Sequence, residues 1–287
     1  MKKFNLALMV FIIIAIITSC GNGSVQRVSN ETNTSLGTYN KVIKEGKIRI
    51  GYLPYPPGFI EDPNTKALSG IFYEIDTLLA KRLNIKFEFV EKIPWSDIAV
   101  ALENNRFDII ASPVWPTIER AKFCEFSIPV YYETLNAYVR ADDKRFDNNL
   151  AAINRPDVRI ATIVGEISAI IKDRDFHNAK AVVNIKETQL SQICEDIISN
   201  KADVVFTSPM LASKYLKSGK IKEIEGIGPL NVYPNVMVMR KGDFALKTMF
   251  DNALLELHNT GVIDKIISKY EEVPGIFYRV QQPYIKK

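Results

Sequence analysis

Histidine is almost absent from this 287-residue chain: only His177 and His258 occur, with no metal-ligand spacing around either. That scarcity leaves no Ser-His-Asp set and no metal cluster. Cysteine is as rare, with Cys20, Cys124 and Cys194 alone. The last two fall in different lobes of the fold read below, so they are expected as buried free thiols rather than a disulfide. No basic cluster stands out either. Lysine and arginine total 37 against 33 acidic residues, and loss of an N-terminal segment carrying Lys2 and Lys3 leaves 35 against 33, a net +2. A nearly neutral chain of this kind argues against nucleic acid as a partner. Long apolar runs are missing too. The single one, Leu6–Ile17, has 12 residues, short of the roughly 20 needed to span a bilayer.

What is present begins at that run. Lys2 and Lys3 precede it and small residues with Cys20 follow, the layout of an export signal. Ile17-Thr18-Ser19-Cys20 resembles the lipobox of bacterial lipoproteins. The resemblance implies cleavage before Cys20, lipidation of that cysteine, and anchoring to the extracytoplasmic side of the cell envelope, in the periplasm or on the outer face of the cell membrane. Residues 1–20 are then signal, and residues 21–40, rich in Gly, Ser, Asn and Thr, a flexible tether. About 245 residues remain, comfortable for two lobes.

Apolar periodicity over those residues reads strand, helix, strand, helix, strand twice. The first round runs through a strand at Lys47–Tyr52, a helix from Gly70 to Leu83, a strand around Phe87, a helix from Ser96 and a strand at Asp108–Ala111. A second round runs through strands at Val158–Thr162, Ala181–Ile185 and Ala202–Phe206, with helices at Glu166–Lys172 and Gln189–Ser199. The halves share wording. Asn105-Arg106-Phe107-Asp108 leads to Ser112-Pro113, and Asn200-Lys201-Ala202-Asp203 leads to Ser208-Pro209. Asp108 and Asp203, repeated at strand starts, are read as structural. This is the grammar of an α/β fold of two lobes, each a mainly parallel sheet flanked by helices. Lobe 1 takes residues 41–139, lobe 2 residues 140–238, and residues 239–287 return to lobe 1 with a strand Asn235–Arg240, a helix capped by Asp243 and stopped by Gly261, and a last helix Val262–Tyr270. Crossings near Tyr138–Ala141 and Val236–Lys241 form the hinge.

Ligands of open α/β sheets bind beyond the C-terminal ends of strands. Ser112 and Thr207/Ser208 lie at such ends, so they are expected to face each other across a cleft. Ser112–Tyr132 adds an arginine near a short helix start. Arg120 cannot be deprotonated and presents a rigid fork of donors, which suits it to grip a carboxylate. Tyr55 and Trp95 sit on loops at strand ends as candidate cleft aromatics. Trp115, between Pro113 and Pro116, is expected to turn its face to a flat or cationic ligand group. Two readings of Glu166 stand: a cleft-facing charge, or a first-turn acid facing a helix dipole.

Thr117-Ile118-Glu119-Arg120 followed by Phe126-Ser127-Ile128-Pro129-Val130-Tyr131-Tyr132, and Gly261-Val262-Ile263-Asp264-Lys265-Ile266 near the end, resemble the extracellular solute-binding proteins of the amino-acid type, family 3, which serve ABC importers. The resemblance implies a periplasmic-binding-protein fold of the second type, Arg120 holding the ligand's α-carboxylate and Tyr55 and Trp95 sandwiching its side chain. Three departures stand out. Trp115 occupies the place of a small hydroxyl residue. Gly165-Glu166-Ile167 replaces Gly followed by Ser or Thr. The acidic partner of an α-ammonium falls at Ser208 or Thr207. The expected function is capture of a small carboxylate-bearing, amino-acid-like or nitrogenous solute by a monomer, and delivery to an ABC permease, without cofactor, metal or chemistry. The alternatives are a dehydratase on the same fold, with Glu166 as general acid, and a ligand sensor for a membrane receptor.

Overall fold

The structure is a computed structural model that describes residues 37–185, 189–273 and 275–280. The export signal, Cys20 and residues 21–36 of the expected tether lie outside the described residues. Residues 37–40, placed in the tether above, instead open a helix, Gly37–Glu45, that buries Val42.

Strand alternation decides how lobe 1 packs. Ile109 and Ala111 join Met237 and Met239 in a core on one face of the sheet. Ile110 and Val114 join Val238 and Phe107 in a core on the other, as period-2 side chains require. Lys47–Tyr52 pairs in parallel with Lys86–Lys92 on one side and Ile109–Val114 on the other. The helix Ile71–Leu83 and the returning helices Phe244–Asn259 and Val262–Tyr270 cover the first of these faces with Phe72, Ile75, Phe250 and Ile267. In lobe 2 Arg159–Ile163 is flanked in parallel by Val204–Thr207 and Lys180–Asn184, with a third core around Ile160, Val205 and Cys194. Cys124 and Cys194 are both buried and free, and they belong to different cores.

The repeated aspartates do the same work in each lobe. Asp108 accepts the Arg49 amide at 2.9 Å and the Arg49 guanidinium at 2.8 and 3.2 Å. Asp203 accepts the Arg159 amide at 2.9 Å and its guanidinium at 2.9 and 3.1 Å. Each aspartate therefore ties the third strand of its lobe to the first. Asp203 also takes Arg145 at 2.8 Å and Arg140 at 3.2 Å.

Two ten-residue strands, Tyr131–Arg140 and Asn231–Arg240, join the lobes. Their near halves pair with each other, Tyr131 opposite Asn235 and Leu135 opposite Asn231. Their far halves diverge: 136–138 joins Val204–Thr207 and 138–140 joins Ile221–Glu223 in lobe 2, while Val236–Arg240 joins lobe 1. The crossings thus fall at Tyr131–Leu135 and Asn231–Asn235, earlier in the chain than the sequence patterns suggested. Pro234 obscured the second strand's true start. It sits opposite Tyr132 in the ladder, at the edge of the pairing there, since Tyr132 bridges Tyr278 on its other side, and an edge position tolerates a missing donor. Asp243 also departs from expectation. It precedes the long helix without a side-chain capping bond and instead accepts Arg240 at 2.8 Å and Thr38 at 3.0 Å.

Burial alone would raise the Asp203 carboxyl, but hydrogen bonds from Arg159, Arg145 and Arg140 outweigh it and hold the group well below the ordinary carboxylate range. A depressed folded-state pKa stabilises above the unfolded value of about 3.9 and is lost as pH falls. Asp203→Asn should therefore cost about 1.5–3 kcal/mol at pH 7, with the gap from wild type shrinking below about pH 4. Urea denaturation at the two pH values reads both effects, and an equal gap at both would contradict the assignment.

Candidate functional site

Arg120 is fixed from its own turn outward. The Thr117 hydroxyl accepts the Arg120 amide at 3.2 Å, capping the single-turn helix Ile118–Ala121. The guanidinium is buried and donates to two main-chain carbonyls, Trp115 of its own lobe at 2.7 Å and Gly165 of lobe 2 at 2.8 Å. Burial pulls its pKa below the ordinary value, while Glu166 pushes the other way. A cation removed from water with neutral acceptors alone is poorly compensated. Two carbonyls also leave most of its five donors uncommitted.

The lobes meet at Gly165. Its φ of +78° suits glycine, and a Cβ there would fall 2.5 Å from Ser96 of lobe 1. Next to it, Glu166 caps the helix Ile167–Asp175 through a 2.7 Å bond from the Ser168 amide. Burial raises its carboxyl pKa, opposed by the Ser168 bonds and by Arg120. The two readings of Glu166 coincide, since the capping carboxylate is also a wall of the cleft.

Aromatic rings form the other walls. Tyr55 is anchored by paired main-chain bonds with Phe59 at 2.8 and 2.9 Å, and its ring meets Trp95 and Trp115 edge-on at 6.2 Å each. Arg120 lies 5.8 Å from the Trp95 ring centre. Together with Glu166 these groups bound a space of about 10 Å³, roughly what one water needs. The two lobes leave little room between these groups.

Trp115 differs from expectation. The chain puts it just past the strand Ile109–Val114, buried, and one face is covered by Tyr233 at 4.8 Å and 13°. Its indole donates to Asn235 Oδ1 at 3.0 Å. Ser112 also departs: its hydroxyl accepts the Leu53 amide at 2.9 Å inside lobe 1, so it holds a loop rather than facing lobe 2. Thr207 is buried opposite Asn136 in the lobe 2 sheet. Ser208 caps Pro209–Lys217 through the Leu211 amide and lies near the Tyr55 hydroxyl.

Sequence reasoning missed Glu133, Tyr233 and Asn235, all from the hinge ladder. Glu133 is 1% exposed and accepts Asn235 Nδ2 at 3.0 Å through Oε2, while its Oε1 has no partner. Burial pushes its carboxyl up to about 7, with Asn235, Ser208 and Tyr55 countering. One signal was available: an acid alternating with Tyr131 and Leu135 shares their buried face.

Comparison with known proteins agrees with this architecture. L-cystine-binding protein TcyA of Bacillus subtilis is 28% identical over 94% of this chain and 97% of its own length. Arginine-binding extracellular protein ArtP of the same organism is 23% identical over 94% of this chain and 98% of its own. The crystal structure of the ancestral amino acid-binding protein AncCDT-1, a precursor of cyclohexadienyl dehydratase, superposes with a TM-score of 0.70 at 27% identity, covering 81% of this chain and 98% of that one. The two-lobed fold is thus that of amino-acid-binding proteins. The family description that matches residues 48–273 leaves one conclusion: the chain belongs to the bacterial extracellular solute-binding proteins, family 3.

Proposed function

We propose that the protein captures a small solute bearing a carboxylate and a nitrogen group, amino-acid-like in chemistry, between its lobes and delivers it to an ABC importer. Arg120 carries this reading. It is a buried cation whose acceptors are two neutral carbonyls, one from each lobe, so a carboxylate arriving on an open cleft matches both its charge and its fork. The hinge ladder supplies the movement, and ligand energy closes the lobes because only the closed state surrounds the solute. Acylation at Cys20 would hold the protein beside its permease, and the lobes would divide at the crossings of the two long strands.

The reading is of a binding protein rather than an enzyme. TcyA and ArtP are named for binding. Glu166, the general acid a dehydratase would need, is spent as a helix cap. A sensor role would use the same cleft.

Both tryptophans of the chain, Trp95 and Trp115, border the cleft, so intrinsic fluorescence should change on titration with L-cystine, L-arginine or L-histidine. A panel of amino acids and organic acids that moves neither fluorescence nor melting temperature at millimolar levels would contradict capture. Arg120→Lys keeps the charge but not the fork, and should weaken binding about 10–100-fold, the equivalent of about 1.5–3 kcal/mol. Trp115→Ser removes the Tyr233 stack and the Asn235 donor, and should reorder the ligands by affinity. An unchanged ranking by calorimetry would rule out a selective role for this ring.

A further inference from the structure

The polar groups on the cleft side of the hinge are unusually short of partners. Tyr131, Glu133 and Leu135 lie opposite Asn235, Tyr233 and Asn231 in the ladder, so directly paired residues share a face. Glu133 from this set lies near the hydroxyl of Tyr55, whose ring lines the cleft, while Tyr233 stacks on Trp115. Glu133 Oε1 and the hydroxyls of Tyr55 and Tyr131 are all buried and none meets hydrogen-bond geometry, although Tyr55 and Ser208 come close enough to Glu133 to act on its carboxyl. Three such groups in one place are costly unless something satisfies them.

Trp115 connects this cluster to the carboxylate grip. Its carbonyl accepts Arg120 Nη1, its indole donates to Asn235, and the Asn235 amide donates to Glu133. One tryptophan therefore spaces a buried cation from a buried acid. Tyr55 runs the same way, its ring lining the cleft beside Arg120 and its hydroxyl lying near Glu133 and Ser208. Among the described residues no lysine or arginine makes an ion pair with Glu133, whose only hydrogen bond is the one from Asn235.

Building on the capture reading above, we infer that Glu133 is the acceptor for a protonated, N–H-bearing nitrogen of the ligand, with the hydroxyls of Tyr55 and Tyr131 completing its shell. The charge that Ser208 and Thr207 do not supply from lobe 2 thus comes from the hinge. The ligand class narrows to zwitterions that place a carboxylate at Arg120 and a hydrogen-bonding cation at the ladder. A quaternary ammonium, having no N–H, is disfavoured.

The titratable groups around Glu133 are Tyr55 and Tyr131, with Glu166 beyond Tyr55. A carboxyl raised by burial is ionised by an arriving cation, so zwitterion affinity should grow as pH rises from 6 to 8.

The test is calorimetry on the mature chain with L-arginine, L-histidine, L-cystine, glycine betaine and the nitrogen-free acid glutarate, comparing wild type with Glu133→Gln and Arg120→Ala. Gln keeps an acceptor for Asn235, and the melting temperature of unliganded protein checks the fold. Glu133→Gln should weaken whichever amino acid binds by about 10–100-fold and flatten its pH dependence, while any glutarate binding should not weaken, since glutarate offers no cation to Glu133. Amino-acid affinity within about twofold of wild type overturns the inference, as does a wild type that prefers glutarate or betaine, and in either case solute capture still stands. Binding that survives Arg120→Ala counts against the carboxylate grip alone. A wild type that binds none of the probes overturns both.

Discussion

A guanidinium buried between two lobes, answered by one carbonyl from each, sets the terms for the rest of this molecule. A charge that cannot be neutralised must find acceptors wherever it is buried. Trp115 and Gly165 provide them. The bond from Arg120 to Gly165 therefore ties one lobe to the other. Under the proposed function, an arriving solute must offer Arg120 more than a neutral carbonyl does, and a carboxylate does so.

The surrounding features follow from how closely the two lobes approach. Glycine at position 165 lets lobe 2 approach Ser96. Tyr55 and Trp115 reach across and pack with the lobe 2 core, so closure buries apolar surface as well as charge. The element between the lobes is a ladder of two strands. Each strand commits its other half to a different lobe. Glu133, Tyr233 and Asn235 share one face of that ladder because of strand register.

Much of this was legible beforehand. The strands at Lys47–Tyr52, Ile109–Val114 and Arg159–Ile163 and the helices at Ile71–Leu83 and Phe244–Asn259 appear close to their expected places. The repeated Asp108 and Asp203 are structural, each tied to an arginine of its lobe's first strand. Arg120 is buried at the interlobe cleft. The remaining differences share a cause. Ser112, Asp243 and the face of Trp115 were each assigned a role from near neighbours in sequence, yet each is engaged by a residue distant along the chain: Leu53, Thr38 and Tyr233.

The two-lobed α/β plan, the paired aspartates and the arginine can be read from the chain alone, because side-chain period, strand-end chemistry and internal repetition are local or self-comparing patterns. Where the chain crosses between lobes, which face of Trp115 is covered and which side of the ladder carries Glu133 emerge only in the folded molecule. Those outcomes depend on the register between strands about a hundred residues apart. A shift of one residue there would turn Glu133 to the opposite face, and no local pattern in the chain records that register.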